Sequence, residues 1–312
     1  MQKPPSEKPR LSPVLVLAVG ILAVSSGSIL ARLAQEENVP SLVIAAYRTA
    51  VAALILLPIM LIRHRGEVRR LAPADWRLAL LSGLLLAVHF ATWISSLAYT
   101  SVASSTVLVS TSPLWVALAA PFLLGEPFTR PLKIGMGLAL AGTIVISLGD
   151  VWIVGENGRL LINAGAVAGG QRPFLGNALA LTGAVAAAGY LLIGRKLRVR
   201  LSLVSYVTLV YGTAALSLIA AVYLTGSSMF GYSSQAYLTF LLMALGPQLL
   251  GHSSFNYALA FLPAAMVGAV SFAEPIGASI LALLFFGEVP GPLVLLGSAF
   301  VFAGLLVAGR RR

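Results

Sequence analysis

The chain has 312 residues, 58% of them hydrophobic and 10% charged, against about 25% charged in an ordinary soluble domain. That surplus of apolar side chains exceeds what a water-soluble core of this size can hide, so the expected solvent is the bilayer. Cysteine is absent, which excludes disulfides and thiolate metal sites, and the net charge of +11 is scattered in short clusters rather than gathered into one nucleic-acid-binding face.

Residues Met1 to Pro13 form a short, polar, basic tail. The apolar run Val14 to Leu30 that follows is too long for a signal-peptide core and shows no convincing cleavage site, so it is expected to be a first membrane helix. A span needs about 20 apolar residues. Ten segments meet that demand, near 14–34, 42–62, 78–98, 102–124, 132–149, 175–195, 202–224, 238–259, 264–286 and 292–309. None alternates with period two, so helices rather than barrel strands are expected to satisfy the backbone in lipid. The short connections at 99–103 and 258–263 predict that helices three and four, and eight and nine, are tight antiparallel neighbours. The longest connection, 150–174, is either an irregular linker or a small hairpin, with Val151 to Val154 and Arg159 to Ile162 flanking an Asn157-Gly158 turn.

Cation placement predicts orientation. With a cytoplasmic N-terminus, 17 of the 21 Lys and Arg residues fall on the inside, leaving Arg32, Arg48, Arg159 and Arg172. The expectation is a multi-pass protein of the cell's inner (plasma) membrane with both termini cytoplasmic.

The chain also repeats itself. At an offset of 162 residues, Pro113 matches Pro275, Gly125 matches Gly287, Glu126 matches Glu288, Gly135 matches Gly297 and Gly142 matches Gly304. Gly20 and Arg32 match Gly183 and Arg195 at an offset of 163. Five helices separate equivalent positions, an odd number, so the halves are expected to insert with opposite orientation. The predicted fold is therefore an all-α integral membrane protein of ten transmembrane helices in two five-helix inverted-topology repeats. Its parts are a tail at 1–13, a first repeat at 14–149, an outer linker at 150–174, a second repeat at 175–309 and a tail at 310–312. Such repeats place substrate near the midplane and work by alternating access.

The runs Leu97-Ala98-Tyr99 to Pro113, Leu124-Gly125-Glu126 to Gly142, Ala273-Glu274-Pro275 and Phe286-Gly287-Glu288 resemble the EamA-type repeat of the drug/metabolite transporter superfamily. The resemblance covers essentially residues 14–309. It implies ten helices, cytoplasmic termini, a central cavity and usually export of amino acids, metabolites or drugs.

Candidate site residues are those that are costly in a membrane. Glu274 lies inside the apolar run Ala264 to Phe286, directly before Pro275. It is either a proton-coupling carboxylate or countercharge in the cavity, or an acceptor for backbone amides freed at Pro275. His89 and His252 sit near the middle of helices three and eight, one residue off equivalence. Either makes an interhelical hydrogen bond or lines a shared cavity, and His89 is a second candidate for proton coupling. Two histidines without a third ligand do not make a metal site. Trp93 shares a helix face with His89, and His252, Phe255 and Asn256 share another, with Gln248 near the same level. Trp93, Gln248, His252 and Asn256 are expected to line the substrate cavity, ordinary packing being the alternative. Arg48 is expected to hold a substrate carboxylate, pair with Glu274, or snorkel outward to lipid phosphate or Glu36 and Glu37. Glu126 and Glu288 are expected to cap the next helix or anchor its loop. Gly137-x-x-x-Ala141 is a candidate dimer face, so monomer and homodimer both fit.

No Walker A sequence is present, so the chain is not expected to hydrolyse ATP. The favoured reading is a secondary transporter exporting a small organic metabolite, an amino acid or amphipathic compound, with a proton or counter-solute as the coupled species. No cofactor and no nucleic-acid partner are expected. An intramembrane enzyme would need a nucleophile-base pair of recognised spacing, which is missing. A channel or a non-transporting membrane partner is the remaining alternative.

Overall fold

A bilayer core offers no water to backbone N–H and C=O groups, and this chain answers with helices that pair them internally. The computed structural model describes residues 9, 11–124, 130–149, 152–154, 160–162, 172–262, 264, 267 and 270–308. Expectations about Gly125, Glu126, the Asn157-Gly158 turn and most of both tails lie outside these residues. The first half contains α1 (Pro13–Ser25), α2 (Gly27–Glu36), α3 (Ser41–Arg63), α4 (Arg65–Arg69), α5 (Pro73–Ser96), α6 (Val102–Val109), α7 (Ser112–Leu124) and α8 (Arg130–Gly149). Two short strands, β1 (Trp152–Val154) and β2 (Leu160–Ile162), pair antiparallel with Ile153 opposite Leu161. The second half contains α9 (Pro173–Arg198), α10 (Leu203–Leu224), α11 (Ser234–Met243), a π-helical stretch (Ala244–His252), α12 (Ser253–Ala258), a 3₁₀ turn (Ser271–Ala273), α13 (Glu274–Phe286) and α14 (Pro292–Ala308).

A helical stretch overlaps each of the ten expected segments. Among the described residues, six helical stretches are long and apolar enough to cross a membrane: Pro13–Glu36, Ser41–Arg63, Pro73–Ser96, Val102–Ala119, Pro173–Arg198 and Leu203–Leu224. Shorter apolar helices cover Lys133–Ile146, Glu274–Phe286 and Pro292–Gly304. Large apolar side chains such as Leu22, Leu57, Ile62, Leu216 and Leu224 face outward, where a soluble protein would place polar ones.

Close packing relies on small residues. A Cβ on Gly83 would lie 2.4 Å from Thr213 Cβ, so α5 presses against α10 at that point. Here the structure departs from expectation. Among the described residues α5 lies mainly along α9 and α10, and it meets α6 only near their shared turn. There Ser96 Oγ and Ser105 Oγ are 2.6 Å apart. A short connection makes two helices sequential, but glycines at the contact decide which helix lies alongside.

Several contacts recur at the repeat's offset. A Cβ on Gly20 would meet Ser254 Cβ at 2.7 Å and the Gly251 carbonyl at 3.4 Å. A Cβ on Gly183 would meet Thr92 Oγ1 at 3.2 Å and the His89 carbonyl at 3.4 Å. The partners in the two sets, 251 with 89 and 254 with 92, are 162 apart. Arg32 Nη2 donates to the Leu97 carbonyl at 2.8 Å, and Arg195 Nη1 donates to the Leu259 carbonyl at 2.6 Å. At the far end of each half, a Cβ on Gly142 would lie 2.5 Å from the Gly297 carbonyl, and one on Gly304 would lie 2.5 Å from the Gly135 carbonyl. Gly135 and Gly142 thus meet their equivalents in reversed order, so α8 and α14 cross antiparallel.

Glu288 reaches out of its own half. Its Oε1 accepts the Val102 backbone N–H at 2.7 Å, and its Oε2 lies 3.3 Å from Arg32 Nη1. The carboxylate therefore reaches across to the start of α6 in the other half. Of the two expected roles, these bonds fit anchoring of the loop: the amide and the cation that Glu288 holds belong to the other half, not to the following helix. Glu288→Ala is expected to lower stability by about 1–2 kcal/mol, and Glu288→Gln by less, since an amide oxygen still accepts from Val102. Thermal unfolding in detergent checks the order.

Candidate functional site

Seven expected spans converge on one cavity of about 70 Å³ near mid-helix. Helix two supplies Arg48, helix three His89 and Trp93, helix four Ser110 and Ser112. Helix six contributes Tyr190 and Leu191, helix eight His252 and Phe255, and helix nine Ser271 and Glu274, with Val24 from helix one.

Among the described residues Arg48 is the largest fully buried side chain, 1% exposed. On α3 it is bracketed by Ala45, Ala46, Thr49 and Ala52, all buried, which bring that helix face inward. Its Nε donates to Gln248 Oε1 at 2.6 Å. The guanidinium carbon stands 3.9 Å from the centre of the Phe90 ring and 5.6 Å from that of Trp93, where desolvated cation–π contacts stabilise by about 2 kcal/mol. Its Nη1 is buried without an acceptor. Of the options left open for Arg48, outward snorkelling to lipid or to Glu36 and Glu37 is therefore excluded. Ion pairs among the described residues join Arg32 to Glu288, His64 to Glu67 and Arg200 to Asp75, and none joins Arg48 to Glu274.

His89 Nδ1 is 3.0 Å from the Gly183 carbonyl oxygen. A carbonyl only accepts, so Nδ1 carries the proton and Nε2 of the neutral ring is left as an acceptor. The imidazole stacks 6.0 Å from Trp93 with an interplanar angle of 4°. The His252 ring centre is also 6.0 Å away. The two histidines thus share one cavity wall without forming a ligand set; among the described residues no group of three metal-ligating side chains occurs. Trp93 is 3% exposed and its Nε1 has no partner.

Gln248 and Asn256 are fully buried but stand behind the wall rather than on it. Gln248 holds Arg48. Asn256 Nδ2 donates to the Tyr190 hydroxyl and, at 2.8 Å, to the His252 carbonyl, fixing two wall residues. Their expected place on the cavity is corrected accordingly. The π-helical stretch, with Pro247 inside it, is what turns Gln248 toward Arg48. Proline lacks the ladder N–H, and a wider turn accommodates its ring.

Glu274 opens α13, with Pro275 next to it at a position where the missing N–H costs nothing. Its carboxylate is partly buried, lines the cavity, and among the described residues accepts no hydrogen bond. The alternative role as a cap for freed backbone amides is therefore not what those residues display. At the equivalent register α7 starts at Ser112, followed by Pro113. Two helix N-termini, each a weakly positive end, thus open at the cavity.

The residues that reading the sequence missed are Phe90, Tyr190, Ser110 and Ser271. The hydroxyl-rich run Ser101 to Ser112 inside an apolar span was a usable signal for Ser110. Phe90 and Tyr190 carried none, because aromatic residues in a membrane helix face lipid and cavity alike.

The chain as a whole is similar to known proteins. A model of the EamA-like transporter family matches residues 11–148 and 174–310. A probable terminal-alkyne amino-acid exporter of Streptantibioticus cattleyicolor is 28% identical over 212 residues, 67% of this chain and 64% of that protein. A WAT1-related protein of Arabidopsis thaliana is 30% identical over 159 residues, 50% of this chain and 43% of that protein. The chain therefore spans less than two thirds of either relative's own length. One solved crystal structure superposes with a TM-score of 0.65 at 19% identity, covering 95% of this chain and 96% of that one, a likeness of fold.

Proposed function

This chain belongs to the EamA-like transporter family of membrane proteins, and on that premise we propose that it is a secondary exporter of a small organic metabolite, an amino acid or amphipathic compound. The observation that carries this reading is the cavity, walled by helices of both halves and holding Arg48, Glu274, His89 and His252 in the middle of apolar spans. Ionisable groups there are costly and mark solute or proton paths. The exporter from Streptantibioticus cattleyicolor supports the direction and the substrate class.

The proposal includes ten spans, both termini on the cytoplasmic side of the cell's inner membrane, and two halves of inverted topology. The equivalent contacts made by Gly20 and by Gly183, those made by Arg32 and by Arg195, and the reversed Gly135, Gly142, Gly297, Gly304 crossing support the inversion. Alternating access follows from such a repeat. A cavity of about 70 Å³ has room for a few waters, whereas ligand pockets usually exceed about 300 Å³. Loading a solute thus requires the halves to part on one side. Energy comes from the proton gradient through Glu274, with His89 as a second carrier, or from exchange for a counter-solute.

The test is flux. Purified chain in liposomes is expected to release preloaded labelled amino acids or amphipathic amines faster than protein-free liposomes, and faster still with an imposed proton gradient. If no member of either panel moves above the protein-free rate, the exporter reading is wrong.

A further inference from the structure

We infer that the cavity takes a zwitterion, with the substrate carboxylate seated on Arg48 and Trp93 and its ammonium on Glu274. The inference rests on the transporter reading and adds which chemical class it carries and which atoms read it.

The carboxylate seat rests on two unmatched donors. Among the described residues Arg48 Nη1 and Trp93 Nε1 are both buried without a partner, on residues 1% and 3% exposed that line the same cavity. Native interiors seldom leave buried donors unpaired. Two unpaired donors on one cavity, with the guanidinium carbon 5.6 Å from the centre of the Trp93 ring, suit an acceptor with two oxygens, and a guanidinium is shaped for a carboxylate. Gln248 occupies Nε, and Phe90 covers one face of the guanidinium. The outer nitrogens are what remains for a ligand. The start of α7 at Ser112, on the same cavity, adds a weakly positive helix end.

The cation seat is Glu274, which lines the same cavity. Glu274 accepts no hydrogen bond among the described residues, and no ion pair ties it to Arg48. Arg48 and Glu274 share one cavity as a cation and an acid. A ligand carrying only a carboxylate or only an ammonium brings a net charge into that interior, whereas a zwitterion offers each of them an opposite charge and brings none. Val24, Val109, Leu191 and Phe255, on the same cavity, offer an apolar surface for an aliphatic body.

The experiment compares three probes of one shape on the purified full chain: L-leucine, isocaproate, which lacks the ammonium, and isoamylamine, which lacks the carboxylate. Tritiated L-leucine is expected to bind, and the other two to displace it at least about tenfold more weakly. Trp93→Phe keeps an aromatic ring and removes the indole N–H. It should weaken L-leucine and isocaproate about tenfold and leave isoamylamine unchanged. Glu274→Gln should weaken L-leucine and isoamylamine and leave isocaproate unchanged. Arg48→Gln is expected to abolish binding of both carboxylate probes, but it also strips Gln248 and Phe90 of a partner, so the Trp93→Phe and Glu274→Gln series carries the decision. The inference is overturned if L-leucine does not bind, if isoamylamine binds as tightly as L-leucine, or if either variant weakens all three probes equally. Flux of a permanently charged amphipathic amine through the same liposomes separates the two claims. If that amine moves while L-leucine neither binds nor moves, the exporter stands and the zwitterion site falls.

Discussion

Glu274→Gln is expected to abolish proton-driven movement of substrate in proteoliposomes while leaving the protein folded. The substitution keeps size and hydrogen-bonding capacity and removes the group that gains and loses a proton. Because no described donor bonds this carboxylate, no structural hydrogen bond is lost with it. It sits in the first turn of α13, where a negative charge interacts with the helix dipole by about 0.3–1 kcal/mol, so only a small change in stability is expected. The measurement is flux with and without an imposed pH gradient, beside thermal unfolding in detergent. Gradient-driven flux that persists at the wild-type rate at every pH removes Glu274 from the coupling step. Loss of flux together with a large drop in Tm would mean the residue holds the fold instead.

Gly142→Leu is expected to be the most damaging of the simple substitutions considered, by about 3 kcal/mol or more. Even a Cβ at this position would lie 2.5 Å from the Gly297 carbonyl and 2.8 Å from the Val301 amide. Both are backbone atoms, which cannot swing aside as a flexible side chain can. Gly297→Leu strikes the same contact from the other helix, where a Cβ would meet the Gly142 carbonyl at 2.7 Å. The double variant should therefore cost less than the sum of the singles. Gly137→Leu is the control on the same helix: a Cβ there meets nothing within 4 Å. It should stay within about 0.5 kcal/mol of wild type. Folded yield and thermal unfolding in detergent decide the matter. Equal behaviour of Gly142→Leu and Gly137→Leu would show that α8 and α14 do not pack as described.

Properties that depend on local chemistry could be read from the order of residues. The demand for helices follows from hydropathy alone, because in lipid every backbone group must pair within its own segment. Helical stretches therefore fall where apolar length predicted them, from Pro13–Ser25 to Pro292–Ala308. The repeat is equally local in origin, since matched glycines and prolines can be counted off at one offset. Gly135 with Gly297 and Gly142 with Gly304 could be matched for that reason, but that Gly142 meets Gly297 could not.

What the order of residues left open was rotation and partnership. A helix in a bilayer is apolar on its lipid face and largely apolar on its packed face, so no amphipathic stripe tells which side turns inward. Arg48 illustrates this: it had equally good chemical reasons to reach lipid phosphate or the protein interior, and only packing against Gln248 and Phe90 settles the choice. Gln248 and Asn256 stand at the right height but behind the wall, because a single turn of helix separates lining a cavity from bracing it. Glu288 reaches the start of α6 for the same kind of reason. Membrane solvent, helix positions and repeat register thus belong to the sequence by itself. Which atoms meet in the cavity belongs to the tertiary structure, because helix rotation is chosen by fit against a neighbour rather than by contrast with water.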